Sequence, residues 1–422
     1  MIEYKRKLII KRSDFMEKGV RVYSEIGKLR KVILHRPGEE LNNVSPDTMQ
    51  ELLFDEVPYL DQALKEHDYF ANLLKENGCE VYYLEDLVAD VIKDKNLKES
   101  LIEEFLDEAD LHTANERYIM KDILLQQKSE KDLVMKMIAG TRMTELTKRS
   151  KETLADFADS GRYFLTVPMP NAYFTRDPFA NIGHGVAINK MWSNVRRRET
   201  LFGKYIYDHH EMFKGVDVPR WYDREEKYHT EGGDQLILTK DVLAVGISQR
   251  TEAAALQKLG ENVLNAGEFK TVLAINIPQS HAFMHLDTVF TMIDKDKFTI
   301  HPEIEGPLVV YSMVKDGDKI VITEEKNSLD KILAHYLGLD KVDLIRCGGG
   351  LGIDAQREQW NDGSNTLAIA PGEVVVYDRN VVTNDLLEKE GIKLHRMPSY
   401  ELSRGRGGPR CMSMPLYRED VK

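Results

Sequence analysis

Between Gly27 and Pro37 the chain reads Lys-Leu-Arg-Lys-Val-Ile-Leu-His-Arg, an apolar run that predicts a short strand closed by the turn residues Arg36, Pro37 and Gly38. Over residues 60–77 the apolar positions Leu60, Leu64, Phe70 and Leu74 recur at helical spacing, and Gly78 is placed to stop a helix. Residues 79–84 read as the next strand, which assigns Cys79 to the core. The texture then changes. Residues 85–160 are charged, rich in helix formers and nearly free of glycine, and no proline occurs between Pro58 and Pro168. Apolar residues within 101–106 and 133–138 repeat at helical spacing among Lys and Glu. This pattern predicts a helical insertion over 86–160 with solvated charged faces, interrupting one domain made of 1–85 and 161–422.

After Tyr163 short strands and turns dominate, and one motif returns. Asp177-Pro-Phe-Ala-Asn-Ile, Glu231-Gly-Gly-Asp-Gln-Leu and Asp287-Thr-Val-Phe-Thr-Met each set an acid just before a hairpin pattern, and Asn365-Thr-Leu-Ala-Ile-Ala opens a fourth copy. Helical stretches at 252–259, 329–337 and 384–390 follow the hairpins, with Gly260, Gly338 and Gly391 at their ends. Repeated strand-strand-helix-strand units can close around an axis, which would bring Asp177, Glu231 and Asp287 into one pocket. His285 lies two residues before Asp287, so in a strand the two would share a face.

Composition narrows the choice of chemistry. Of 422 residues, 42% are hydrophobic and 30% charged, as expected of a soluble globular chain, and no stretch approaches the ~20 apolar residues of a membrane span. Residues 1–7 are basic but lack the apolar run and cleavage site of a signal peptide, so the expected location is cytoplasmic. A net charge of -12 argues against nucleic acid and for a cationic small molecule. Three cysteines, with no CxxC pair, make neither a disulfide framework nor a structural zinc site.

Cys411 stands apart from the other two. It sits in Arg404-Gly-Arg-Gly-Gly-Pro-Arg-Cys-Met-Ser-Met-Pro415, a loop too rich in glycine and proline for helix or strand. Arg404, Arg406 and Arg410 supply charge that favours a thiolate, but the acids crowding the same pocket disfavour one, so the thiol of the empty protein is expected to be protonated. A thiol, a histidine and three carboxylates suit a guanidinium, whose fixed N–H donors match carboxylates and whose poorly electrophilic carbon benefits from covalent attack by sulfur. Two other classes use the same residue types. Cys411, His285 and the acids could ligate zinc or iron, or the acids alone could serve an inactive guanidinium-binding module.

Four stretches carry a more specific signal: Asn171-Ala-Tyr-Phe-Thr-Arg-Asp177-Pro, His229-Thr-Glu-Gly-Gly-Asp234, Met284-His-Leu-Asp287 and Gly407-Gly-Pro-Arg-Cys411-Met-Ser-Met-Pro. Together they resemble the signatures of bacterial arginine deiminases, over a similarity running from about Leu29 to the C-terminus. The resemblance implies a five-bladed, pseudo-symmetric α/β propeller of ββαβ repeats carrying an inserted helical bundle. It implies hydrolysis of free L-arginine to L-citrulline and ammonia through an amidino-cysteine, with no metal or organic cofactor. Cys411 would be the nucleophile, His285 the general acid and base, Asp177 and Asp287 the grip on the guanidinium, and Glu231 their support. Arg196, selected from 196–198 by spacing, and Arg250 match ligands of the substrate α-carboxylate, with Asn171 and Phe174 nearby. Asp234 braces this substrate site, Gly405 and Arg406 belong to a loop that covers it, and His229 orients the Glu231 turn. Read alone, 196–198 would be a solvated basic run. A homo-oligomer is the family expectation, with no nucleic-acid or membrane partner. A dimethylarginine hydrolase or amidinotransferase is the alternative within the fold.

Overall fold

The computed structural model describes residues 18–421 except 147–152, 155–156, 158–160, 307 and 351, so the basic stretch 1–7 lies outside the described residues. The first apolar run forms β1 (Leu29–Leu34), with Val32, Ile33 and Leu34 fully buried. α1 (Leu60–Glu76) buries Leu60, Phe70 and Leu74 and partly covers Leu64, as its spacing predicts. Gly78, at φ 81°, turns the chain into β2 (Glu80–Tyr83), parallel to β1, and Cys79 is buried.

Leu84 starts a helix instead of extending the strand. α2 (Leu84–Val91), α3 (Lys95–Asp107), α4 (Ala114–Leu125) and α5 (Glu130–Ala139) follow in succession. Asp94, Thr113 and Ser129 cap the last three, their side-chain oxygens accepting from first-turn N–H groups. Phe105, Met120 and Val134 on these helices join one hydrophobic cluster with Phe179, Leu201 and Val245 of the sheet region. A short ribbon, β3 (Thr141–Arg142) with β4 (Phe164–Thr166), leads the chain back.

From there one unit recurs: an antiparallel hairpin, a helix, and a third strand parallel to the hairpin's second. The first is β5 (Phe179–Ile182), β6 (Gly185–Ile188), α6 (Glu199–His209) and β7 (Arg220–Tyr222). The second is β8 (Gln235–Thr239), β9 (Val242–Ile247), α7 (Ala253–Asn265) and β10 (Thr271–Asn276). The third begins with β11 (Phe290–Met292) and β12 (Lys297–Ile300). A long hairpin, β13 (Val309–Asp316) and β14 (Lys319–Glu325), then extends the second sheet before α8 (Leu329–Leu337) and β15 (Asp343–Arg346) complete the third. α9 (Ile353–Trp360) precedes the fourth, β16 (Leu367–Ala370), β17 (Glu373–Tyr377), α10 (Val381–Lys389) and β18 (Lys393–Met397).

A fifth unit needs both halves of the chain. β19 (Met414–Arg418) pairs antiparallel with β1, which continues through α1 to β2. The architecture is α/β, and the repeat read at Asp177, Glu231, Asp287 and Asn365 is present in four sheets. Gly338 and Gly391, at φ 68° and 83°, end α8 and α10 as expected. Gly260 does not end its helix. α7 continues to Asn265, and Gly260 lies against Met313, where a Cβ would come 3.0 Å from the terminal methyl, so the glycine serves helix-on-sheet packing. No helix among the described residues is long and apolar enough to cross a membrane.

Candidate active site

Each of the five units presents a polar side chain from the loop just ahead of its first strand: Asp177, Glu231, His285 with Asp287, Asn365 and Cys411, all of them buried. Glu231 stands at the head of a tight turn, Gly232–Asp234, that leads into β8. Both glycines are closely approached, Gly232 by backbone and Gly233 by a side chain. A Cβ on Gly232 would overlap the Arg176 carbonyl oxygen, and one on Gly233 would lie 2.6 Å from the His285 ring. His285 and Asp287 do not lie on a strand. They belong to the 3-10 turn Leu286–Thr288, with His285 at its cap, and so their side chains diverge. The His285 Nε2 is 2.7 Å from Glu231 Oε2, whereas Asp287 turns to Cys411 and Arg410.

The charges around the sulfur are arranged in layers. Cys411 Sγ is 3.6 Å from Asp287 Oδ2 and accepts from Asn365 Nδ2 at 3.1 Å, while the Asn365 Oδ1 takes the Cys411 backbone N–H at 3.2 Å. Burial, then Asp287, Asp177 and Asp362, push the thiol well above its ordinary range, and Arg410 opposes them only in part. The tail arginines therefore do not deliver a preformed thiolate. Burial disfavours imidazolium, but Asp177 and Glu231 outweigh it and raise His285 to about 9. Burial also works against the charged Glu231, yet Arg250 and His285 hold it at about 2. His285 is thus a cation paired with a carboxylate at neutral pH.

Asp177 and Asp287 share an arrangement. Arg196 Nη1 holds Asp177 Oδ2 at 2.8 Å, and Arg410 Nη1 holds Asp287 Oδ2 at 2.7 Å. The other oxygen of each, Oδ1, is buried and has no hydrogen-bond partner. Orphaned acceptors of this kind are costly unless a ligand satisfies them.

Arg196 and Arg198 are buried and only Arg197 is exposed, so 196–198 is not a solvated run. Arg196 is fully engaged here, with Glu199 accepting from its Nε and Nη2 and the Asn171 and Phe174 carbonyls near Nη2. The Arg198 guanidinium rests over Phe105 of α3, which joins the helical region to this loop. Arg250 stacks on Trp192 at 4.5 Å, lies 3.7 Å from Glu231, and leaves its Nε without a partner. His229 Nδ1–H donates to the Arg250 carbonyl at 2.9 Å and so ties the Arg250 loop to the Glu231 turn. Asp234 accepts from Ser248 Oγ and the Leu286 N–H, which leaves it a brace between two loops. Asn171 donates to the Leu52 carbonyl. Phe174 lies beneath Gly405 and Gly407 of the tail, and Arg406, at φ 61°, stacks on Trp360 and pairs with Asp55.

Asp177, Glu231 and His285 also bring ligand-type atoms within 4.8 Å of one another, but Cys411 is not among them. Both acids already face cations, Arg196 on one and His285 on the other, so this donor set does not fit the thiol-containing metal site.

Sequence reasoning missed Asn365, Glu25, Glu199 and the Arg410 contact with Asp287. Asn365 was findable, because it heads the fourth repeat where the others carry acids. Glu199 follows Arg196 at helical i,i+3 spacing. Glu25 leaves no local signal, since its partner Arg410 is at the other end of the chain.

The arginine deiminase family model matches residues 50–418. An arginine deiminase of Clostridium perfringens is 55% identical over 411 residues, 96% of this chain and 99% of that one, and one of Streptococcus pyogenes is 53% identical over 406 residues, 95% and 98%. Among solved structures, the amidinotransferase SxtG from Microseira wollei aligns with a TM-score of 0.55 at 14% identity, covering 95% of this chain and 98% of that one. The N-terminal domain of ArgZ, solved covalently bonded to a reaction intermediate, aligns with a TM-score of 0.51 at 13% identity, covering 93% and 99%. The chain belongs to the arginine deiminase family, hydrolases acting on C–N bonds.

Proposed function

We propose that the protein hydrolyses free L-arginine to L-citrulline and ammonia through an amidino-cysteine on Cys411. The observation that carries this reading is the pair of buried carboxylate oxygens that accept no hydrogen bond, Asp177 Oδ1, 3.9 Å from His285 Nδ1, and Asp287 Oδ1, beside a buried thiol. A guanidinium supplies N–H donors to both and places its carbon at the sulfur. Arg250, with its free Nε, receives the substrate carboxylate, and Arg196 joins it on leaving Asp177. Asn171 and Phe174 line the same side, and Gly405 and Arg406 belong to the loop that must open to admit substrate.

Binding the cation offsets the negative charge that keeps Cys411 protonated, and the thiol proton passes to water. Sulfur adds to the guanidinium carbon, and His285, charged below about pH 9, gives its Nδ1 or Nε2 proton to the departing nitrogen. Ammonia leaves and the C–S bond remains as a cationic amidino-cysteine. Neutral His285 then takes a proton from water as its oxygen bonds the carbon. Collapse of that adduct breaks the C–S bond, the added hydroxyl returns its proton to sulfur, and citrulline departs. Glu231 stabilises the imidazolium at both stages.

The same reading takes the five like sheets as blades of a propeller, with 1–85 and 161–422 as the catalytic unit and 86–160 as a helical insertion. It places the enzyme in the cytoplasm as a homo-oligomer without cofactor. Colorimetric detection of citrulline after incubation with L-arginine tests it, with Cys411→Ser as control. No citrulline from the parent protein, or undiminished citrulline from the variant, overturns the reading.

A further inference from the structure

Asp287 is held from behind by two residues that have no part in the reaction proposed above. Arg410 gives Nη1 to Asp287 Oδ2 at 2.7 Å and turns its other edge to Glu25, with Nε to Oε2 at 3.0 Å and Nη2 to Oε1 at 3.2 Å. The three side chains are 0–6% exposed. The Gln235 carbonyl takes a further Nη2 proton at 2.8 Å, so four of the five guanidinium N–H donors are engaged. Glu25 Oε1 also accepts the Ile237 N–H of β8 at 3.0 Å. One carboxylate from the segment before β1 thus joins a strand of the second unit to the residue next to Cys411.

The opposite side of the site has a similar arrangement, an arginine bridging the site aspartate and a buried glutamate. Arg196 gives Nη1 to Asp177 Oδ2 and both Nε and Nη2 to Glu199, at 2.8–3.1 Å. The two arms differ in how firmly they are held. Burial drives Glu199 up to about 7 in spite of Arg196. It works on Glu25 in the same sense, but Arg410, Arg176 and Arg418 together keep Glu25 at about 2. Of the two glutamates, Glu25 is the more firmly held in its ionised form.

We propose that Glu25 is a positioning residue, acting through Arg410 to fix Asp287 Oδ2 and so aim the free Oδ1 and the adjoining Cys411 loop at the substrate guanidinium. A carboxylate left to itself in this buried, acid-rich site would be free to rotate. The fork of Arg410 prevents that, because its bonds to Glu25 fix the plane from which Nη1 reaches Asp287. The inference rests on the reading of the site as an arginine hydrolase.

Glu25→Gln keeps the shape and one acceptor but removes the charge. With a folded variant, verified by circular dichroism and melting, kcat/KM for L-arginine should fall at least about tenfold as Asp287 loses its aim. At the same time the pH midpoint for iodoacetamide alkylation of empty Cys411 should move down, because Arg410, short of one counter-charge, stabilises the thiolate more. A purely structural Glu25 would lower the melting temperature and leave that midpoint in place. Turnover within about twofold of the parent, or an unmoved midpoint, overturns the proposal. If Glu25→Gln does not fold, Arg410→Lys decides. A point charge cannot hold both acids, so kcat/KM should drop by about tenfold, and parental turnover in that variant overturns the proposal. Absence of citrulline from the parent would instead sink the arginine reading itself.

Discussion

Cys411 sits among acids that oppose its ionisation, and that has a direct chemical readout. Since burial, Asp287, Asp177 and Asp362 raise the thiol well above its ordinary range, iodoacetamide should alkylate the empty enzyme slowly near neutral pH and progressively faster in alkali. A rate that is already fast and flat in mild acid would show a preformed thiolate. Arg250 invites a second measurement. Its Nε is buried without a partner, so a substrate lacking a carboxylate leaves that donor unsatisfied. Agmatine, which differs from arginine by that group alone, should be turned over more than about tenfold less efficiently, the factor equal to about 1.4 kcal/mol. Comparable kcat/KM for the two would remove Arg250 from carboxylate binding.

At the scale of single elements, the Gly232–Asp234 turn and the end of β1 carry the sharpest expectations. Gly233 has no left-handed backbone requirement, so Gly233→Ala should fold, but its Cβ would meet the His285 ring at 2.6 Å. Pushing that ring off Glu231 should cost about 10²-fold in kcat with little change in melting temperature, the effect of a misplacement near 1 Å. Equal loss of stability and activity would indicate a general packing defect. Near β1, buried His35 lies 2.8 Å from Glu85 and 3.2 Å from Glu40, which ties the strand's end to the start of α2. Burial favours neutral imidazole, but Glu85 and Glu40 raise His35 from 6.5 to about 10. Its folded value is the higher one, so this pairing contributes in full below about pH 6.5 and is lost as the pH rises through about 10. Denaturation midpoints should therefore fall between those limits, and His35→Ala, which strands two buried carboxylates, should cost about 3–5 kcal/mol. A His35→Ala protein as stable as the parent at neutral pH would refute the pairing's role.

For the whole molecule, the central question is whether five loops supply all the charge that the chemistry needs. Arg196, Arg410, Arg250 and His285 already accompany the buried acids, so dialysis against EDTA should leave citrulline production unchanged. A large loss restored by added metal would reverse that expectation. The sequence by itself determined the elements and the cast. Leu60, Phe70 and Leu74 mark the buried face of α1, the acids at 177, 231 and 287 head successive hairpins, and the loop around Cys411 announces a thiol outside regular structure, because each of these is written in spacing or in the needs of a local turn. The repeat also showed that equivalent loops would meet. It did not show that His285 and Asp287 occupy a 3-10 turn and part company, that Gly260 packs on Met313 instead of ending α7, or that Arg196 spends its donors on Asp177 and Glu199. Nor could it show the fifth sheet, built from β19, β1 and β2, or the reach of Glu25 to Arg410 across the length of the chain. Local periodicity specifies which way a side chain faces on its own element. Which carboxylate meets which cation depends on distances between elements remote in sequence, and those distances exist only once the chain has closed on itself.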